Sequence, residues 1–219
     1  MLLSGDAGKI EGAKKDYLQE IYGASKRMVR LINDLLNVSR LDSGRLKIES
    51  TQTQLEDFIE NVLAELRPVA KEKSCDLLFK KPKVKLPKVG IDQSLLRQVI
   101  QNLVTNSIRY SEPKLCDTAV TLEKRDDKEY LVTIKDNGIG IPKEIQARIF
   151  DKFFRADNAI RAVAEGTGLG LYIAKMIIET SGGKIWFSSE PGAGTTFYFT
   201  IPLTGMKKKG GELGLAQSP

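Results

Sequence analysis

Asp136-Asn137-Gly138-Ile139-Gly140-Ile141-Pro142 joins two kinds of pattern. Before it, Tyr130–Lys135 alternates as a strand does. After it, Lys143–Phe150 reads as a short helix, with Pro142 at the start. A strand thus ends in a carboxylate, and the chain turns on two glycines that allow positive φ and close approach. Upstream, Ala119–Glu123 is a second strand, joined to the first through Arg125-Asp126-Asp127-Lys128. Asp92 caps a helix running to about Tyr110, with Leu95, Val99, Leu103 and Ile108 on its apolar face. Before that come Thr51–Lys73, amphipathic with Leu55, Phe58, Ile59, Val62, Leu63 and Leu66 on one side, the short strand Leu77–Phe79, and a loop, Lys80–Lys88, holding Pro82 and Pro87. Downstream, a helix over Gly168–Ser181 is closed by Gly182-Gly183. A final hairpin, Lys184–Ser188 and Thr195–Ile201, turns on Pro191-Gly192-Ala193-Gly194.

At the other end, Leu18, Ile21, Tyr22, Ser25, Met28, Val29, Ile32, Leu35 and Leu36 recur at steps of three and four, predicting one long amphipathic helix from Ala13 to Leu46. A helix of that length cannot bury its own stripe and needs a partner. Residues 1–11 read as a connector, and the Gly- and Lys-rich segment from Thr204 as a disordered tail. The expected division is 1–50, 51–203 and 204–219.

Composition narrows the chemistry. Histidine is absent, which excludes a Ser-His-Asp triad, a His-bearing zinc site and a phosphohistidine acceptor on these 219 residues. Lys plus Arg number 34 against 28 acidic residues, a net charge of +6 spread along the chain except at Lys207-Lys208-Lys209. Weak anion affinity follows, and nucleic-acid binding is not expected. No apolar run reaches membrane length, and no signal-peptide pattern opens the chain. The two cysteines, Cys75 and Cys116, lack metal-ligand spacing, so no disulfide is expected and a reducing compartment fits.

Four segments carry candidate chemistry. In the first, Asp136 is either part of a polar strand-to-helix turn or an acceptor for an adenine amino group. In the second, Gly166-Thr167-Gly168-Leu169-Gly170-Leu171 leads into a helix, leaving backbone N–H groups for phosphate or serving as a flexible linker. It lacks the Gly-Lys-Ser/Thr of a Walker loop and the spacing of the dinucleotide fingerprint. In the third, Asn102 and Asn106 are four apart on one helix face with Arg109 beside them and Tyr110 following. They are ordinary surface amides, or hold hydrated Mg²⁺ and phosphate oxygens. In the fourth, Phe150-Asp151-Lys152-Phe153-Phe154-Arg155 reads as core or as the root of a lid formed by residues 156–166.

Taken in order, Asn–Asn, Asp-x-Gly-x-Gly, Phe–Phe–Arg and Gly-x-Gly-x-Gly resemble the N, G1, F and G2 boxes of the ATP-binding catalytic domain of sensor histidine kinases, within the GHKL ATPase superfamily. The resemblance covers about Gln52–Leu203. Asp16–Leu46, with Arg27–Leu36 and Ser39-Arg40-Leu41-Asp42-Ser43-Gly44, resembles the second helix of the family's dimerisation and histidine-phosphotransfer hairpin. Two departures stand out: the phosphoacceptor His is missing, so the chain reads as starting downstream of it, and Arg109 stands where many relatives have Lys, which is not an equivalent cation.

The resemblance implies an α/β fold: a two-layer sandwich of the Bergerat type, a mixed sheet with helices on one face, preceded by a long amphipathic helix. It implies ATP or ADP as ligand and Mg²⁺ as cofactor. Asp136 would read adenine, with Gly138, Gly140 and Ile141 shaping the pocket. Asn106 would hold Mg²⁺ beside Asn102, with Arg109 and Tyr110 near the nucleotide. Gly166, Thr167, Gly168, Leu169, Gly170 and Leu171 would approach the phosphates, Phe153 would belong to the lid root, and Arg155 would stabilise the γ-phosphate. The implied reaction moves the γ-phosphoryl of ATP to a histidine outside these residues, for relay to a response-regulator receiver domain. Self-association through the 13–46 helix is expected. So is a cytoplasmic location, alone or as the cytoplasmic part of a membrane-anchored sensor. Hydrolytic relatives place a Glu base where Asn102 stands, which argues against a gyrase-, chaperone- or repair-like ATPase. Anti-sigma-type serine kinases and a non-catalytic nucleotide-binding module remain the alternatives.

Overall fold

The computed structural model describes residues 12–43, 46–111, 116–155 and 166–207. Residues 1–11, the expected lid over 156–166 except Gly166, and the tail from 208 lie outside the described residues. The chain divides into two compact units, Met1–Arg45 and Leu46–Pro219.

The first unit is α1 (Ala13–Asp42), a single helix of 30 residues. Its apolar stripe is open to solvent: Ile21, Met28, Val29, Ile32, Leu35 and Leu36 are all more than half exposed. No side chain caps its start, where Gly12 has φ 66°.

The second unit is a sheet covered by helices. Its elements are β1 (Thr51–Thr53), α2 (Leu55–Glu72), β2 (Cys75–Lys80), β3 (Val89–Ile91), α3 (Gln93–Tyr110), β4 (Cys116–Lys124), β5 (Glu129–Asp136), a 3₁₀ turn (Lys143–Arg148), α4 (Gly170–Thr180), β6 (Ile185–Glu190) and β7 (Gly194–Pro202). The main sheet runs β2-β4-β5-β7-β6. β2 and β4 are parallel and the other pairs antiparallel, so the sheet is mixed. β4 and β5 alternate: Val120, Leu122, Val132 and Ile134 point into the core, while Thr121, Leu131 and Thr133 stay half-buried on the other face. Apolar sides of α2, α3 and α4 cover the inner face, which makes the expected two-layer sandwich. Leu55, Ile59, Leu96, Leu103, Ile134 and Ile173 are fully buried there.

Local signals set the helix ends. Asp92 Oδ1 accepts from the Ser94 and Leu95 N–H groups at 3.0 and 3.1 Å, satisfying two donors that a helix start leaves open. At the end of α4, Gly182 N–H donates to the Glu179 carbonyl and Gly183 N–H to the Ile178 carbonyl. This is a Schellman closure, with Gly182 at φ 87°.

Several expectations need correction. Leu95 is only half-buried, because Leu96 and Ile100 take the inner face of α3. Lys143–Phe150 is a 3₁₀ turn over Lys143–Arg148, with Pro142 at its N-cap. Thr51–Lys73 opens with a strand, not a helix, because Thr51–Thr53 pairs antiparallel with β3. The second unit reaches beyond 51–203 at both ends. Glu49 N–H donates to Asp92 Oδ2, and the Ser50 hydroxyl to the Met206 carbonyl. Thr204–Lys207, expected in the tail, is therefore ordered: Met206 is buried, and its N–H donates to the Gly90 carbonyl. Finally, Cys75 and Cys116 form a disulfide. They are 41 residues apart, but parallel pairing places them opposite each other as the first residues of β2 and β4.

Candidate functional site

A cleft lies between α3, the end of β5, the turns on either side of the 3₁₀ segment and the start of α4. Its space, open solvent at the mouth included, is about 900 Å³. Asn106, Ser107, Arg109 and Tyr110 line it from α3, Asp136 and Thr195 from the sheet, Gly140 and Ile141 from the glycine turn, and Phe154, Arg155, Gly166, Thr167, Gly168 and Leu171 from the opposite side. Ile139, Ile145, Ile149 and Phe197 give it apolar walls.

Asp136 sits at the bottom of this apolar part and is 7% exposed. Its Oδ1 accepts from Gly138 N–H at 3.0 Å and Thr195 N–H at 2.9 Å. Burial raises its pKa above the ordinary Asp value, and hydrogen bonds from Gly138, Thr195 and Ser107 only partly offset that. Two backbone donors hold Oδ1, and Ser107 from α3 also hydrogen-bonds to the carboxylate, which lines the cleft as a fixed acceptor.

The glycines around it serve packing as well as approach. Gly140 has φ 67°, and a Cβ there would fall 2.0 Å from the Glu190 carbonyl oxygen. Its small size lets the turn lie against the end of β6, where Ile141 N–H donates to Ser189 Oγ at 2.8 Å. Gln146 Nε2 then donates to the Ile141 and Ser189 carbonyls. Gly138 presses on the Tyr110 carbonyl, which also accepts from Ile139 N–H at 3.0 Å. The expectation of glycines shaped for ligand contact thus needs amending: Gly140 lines the cleft, whereas Gly138 lies behind it, clamping the strand end to α3.

The opposite side is built the same way. Gly168, at φ 69°, lies on the Phe153 backbone, so a Cβ would come within 2.6 Å of it. Phe153 itself adopts φ 61°. This contact joins the Phe–Phe–Arg segment to the glycine segment, and a Cβ on Gly166 would come within 3.3 Å of the Arg155 guanidinium. Thr167 Oγ1 accepts from Leu169 N–H at 3.1 Å.

Of the residues predicted from sequence, Asn106, Arg109, Tyr110, Asp136, Gly140, Ile141, Arg155, Gly166, Thr167, Gly168 and Leu171 line the cleft together. Five do not. Gly138 is the first. Asn102 spends its amide on the Gly170 carbonyl at 3.0 Å, tying α3 to the first turn of α4, with Gly170 packed beneath it. Leu169 is a core residue, 1% exposed. Phe153 points outward, 62% exposed, and Phe154 takes its place in the wall. Sequence reasoning missed Ser107, Thr195 and Ser189. Ser107 stood inside a motif already singled out; Thr195 and Ser189 come from a hairpin distant in sequence and carried no signal.

Residues 91–205 match the histidine kinase-, DNA gyrase B- and HSP90-like ATPase family. Sensor histidine kinase WalK of Bacillus subtilis (strain 168) is 35% identical over 187 residues, 85% of this chain and 30% of WalK. The chain thus spans about a third of that relative's length. The catalytic domain of histidine kinase ThkA superposes with a TM-score of 0.60 at 29% identity, covering 72% of this chain and 99% of that domain. Full-length ShkA, solved in complex with AMPPNP, superposes at 0.78 over 95% of this chain and 42% of its own; at 22% identity this speaks for the fold alone. With the mixed sheet, the buried acceptor and the glycine-braced cleft in place, the chain belongs to the histidine kinase-, DNA gyrase B- and HSP90-like ATPase family.

Proposed function

We propose that this chain is the ATP-binding catalytic part of a sensor histidine kinase, moving the γ-phosphoryl of ATP to a histidine supplied from outside these residues. The observation that carries the reading is the Asp136 carboxylate, held by Gly138 and Thr195 at the bottom of an apolar cleft whose far side bears Asn106, Arg109 and Arg155. One end suits an amino-bearing purine and the other a polyphosphate.

The purine lies between Ile139, Ile149 and Phe197, its amino group donating to Asp136. A guanine would set its carbonyl oxygen against the carboxylate. The Asn106 amide oxygen would help hold Mg²⁺ together with the nucleotide's phosphates, as befits a hard cation that keeps oxygen ligands and several waters. Among the described residues no three His, Cys, Asp or Glu converge. Bound Mg²⁺ would neutralise developing phosphoryl charge. Arg109 and Arg155 add fixed positive charge, and Gly166 and Gly168 offer backbone N–H groups. Such positioning and charge compensation dominate phosphoryl transfer. Asn102, an amide that cannot take a proton from water, disfavours hydrolysis; its bond to Gly170 gives it a bracing role.

The histidine acceptor would be presented by a helical hairpin of which α1 is one arm. Self-association through the exposed stripe of α1 follows from the same reading, as does onward transfer to a response-regulator aspartate in the cytoplasm.

Calorimetry with Mg²⁺ and ATP, ADP or GTP tests the site. Adenine nucleotides should bind and GTP should not, and incubation with radiolabelled ATP should label a supplied hairpin bearing the acceptor His but not this chain. Equal affinity for ATP and GTP removes the role of Asp136. Rapid, stable label on this chain itself removes the reading that the acceptor lies outside it.

A further inference from the structure

We propose that Cys75 and Cys116 are a redox-modification site, a reversible dithiol–disulfide couple that exchanges with low-molecular-weight disulfides and raises nucleotide affinity when oxidised. The coupling half of this rests on the nucleotide reading above; the exchange half does not. These are the chain's only two cysteines, and they are bonded to each other.

The fold has no need of the bond. The Leu46–Pro219 unit closes an apolar core around Leu55, Ile59, Leu103 and Ile134, and domains of this size fold without cross-links. A bond that the fold does not require can open and close as a transient, redox-sensing couple.

Its position is what gives it leverage. The bond joins residues 41 apart in sequence and closes a loop that contains β3 and α3, the helix carrying Asn106 and Arg109. Cys116 is where that segment re-enters the sheet. One residue on, Asp117 N–H donates to Asn137 Oδ1 at 3.0 Å. Two residues on, Thr118 stands opposite Asp136 in the β4–β5 register, and Cys75 Sγ lies 3.8 Å from Thr118 Oγ1. The disulfide is therefore fixed to the strand end that presents the purine acceptor. Bonded, it ties the first residues of β2 and β4 together beside the strand end that forms the cleft. As a dithiol, those strand ends are held by backbone pairing alone, and binding must remove the added freedom.

The exchange balances. One protein thiolate attacks R′S–SR′, forming a mixed disulfide and expelling R′S⁻. The second thiolate attacks the protein sulfur of that mixed disulfide, closing Cys75–Cys116 and expelling another R′S⁻. Two protein thiols lose two electrons and two protons, and the small disulfide leaves as two thiols. Both cysteines are nearly buried, at 6% and 5% exposure. β2 is the edge strand, paired in the sheet with β4 alone, so opening at its end admits reagent.

The test takes the whole chain through phosphine reduction, then oxidised glutathione, then phosphine again. Alkylation and intact mass count free thiols at each stage, and calorimetry with Mg²⁺-ADP follows. Two thiols should appear, vanish and reappear without unfolding, and the oxidised form should bind ADP at least about fivefold more tightly. Cys75→Ser with Cys116→Ser should bind like the dithiol form under every treatment. Thiols that do not cycle in the folded chain overturn the modification site. Thiols that cycle while affinity stays equal, or is higher in the dithiol form, overturn the coupling alone. Absence of ADP binding in both forms, with cycling intact, overturns the nucleotide reading and the coupling with it.

Discussion

α1 and α3 are written in the same code and end in opposite circumstances. Each carries apolar residues at steps of three and four. α3 buries Leu96, Val99, Ile100, Leu103 and Val104 completely, whereas α1 leaves Ile21, Met28, Ile32 and Leu35 more than half exposed. α3 starts on a side-chain cap, and α1 has none. Periodicity thus says which side of a helix wants cover, not where the cover comes from. For α3 it comes from α2, α4 and the sheet, elements distributed from Leu55 to Pro202. For α1, the described residues of Met1–Arg45 are this one helix, and it cannot cover its own stripe.

The largest effect should come from opening the covered side. Leu103 is fully buried in α3, one turn from Asn106. Leu103→Ala should cost about 2–5 kcal/mol through lost burial and a residual cavity. Denaturant titration checks this, and nucleotide affinity should fall with it because the same helix carries site residues. A loss below about 0.5 kcal/mol would mean that the covered stripe of α3 resembles the open one of α1 energetically.

Asp136→Asn separates the function of the covered region from its stability. The backbone donors at Gly138 and Thr195 will keep the amide oxygen, leaving the NH₂ toward the cleft. An acceptor becomes a donor facing the adenine amino group, so ATP affinity should fall by about 1.5–3 kcal/mol while discrimination against GTP weakens. Calorimetry with both nucleotides reads this. Stability should move the other way. The native pKa of Asp136 is raised by burial, so between the ordinary Asp value and that raised value the native state holds more protons than the unfolded chain. Rising pH through that window therefore costs the wild type stability. Asn removes the cost, so the variant's gain in melting temperature should be present at neutral pH and shrink in acid.

The same contrast explains what could be read in advance. Asp136, Asn106, Arg109 and the glycines were legible because each lies in a short run with its own chemistry. The long helices and hairpins were legible because they repeat. β1 and β3 were not, since three-residue strands carry no period. Thr195 supplies a backbone N–H, a contribution any residue could make, and its identity advertises nothing. The Cys75–Cys116 pair depends on a parallel register across 41 residues. The burial of Met206 depends on a meeting with Gly90 and Ser50 that composition conceals. The bond from Asn102 to the Gly170 carbonyl could not be read, because Gly170 is far along the chain.

A smaller effect should follow from removing the cap that α3 has and α1 lacks. Burial would raise the Asp92 carboxyl's pKa, but the Glu49, Ser94 and Leu95 donors outweigh it and hold the group below its ordinary value. Asp92→Ala should cost about 0.5–2 kcal/mol. The contribution should be full above the ordinary Asp pKa and fade as pH falls through the lowered one. Urea midpoints at several pH values for both chains would show the two curves converging in acid. Parallel curves would place the stabilisation elsewhere.

The smallest effect on the folded catalytic unit should come from α1, and its smallness is informative. Ile32 is 53% exposed. Ile32→Glu puts a charge in the middle of the open stripe and removes an apolar side chain worth about 1.5–3 kcal/mol if buried. If the stripe finds its cover in a second copy, sedimentation velocity should show the wild type associating with concentration and the variant staying monomeric. Melting of the Leu46–Pro219 unit should shift by no more than about 0.5 kcal/mol, and ADP affinity should hold, because that unit's core and cleft are built from its own residues. A concentration-independent monomer in the wild type would sink the self-association reading. A large loss of ADP affinity in the variant would show that the open helix contributes to the site after all.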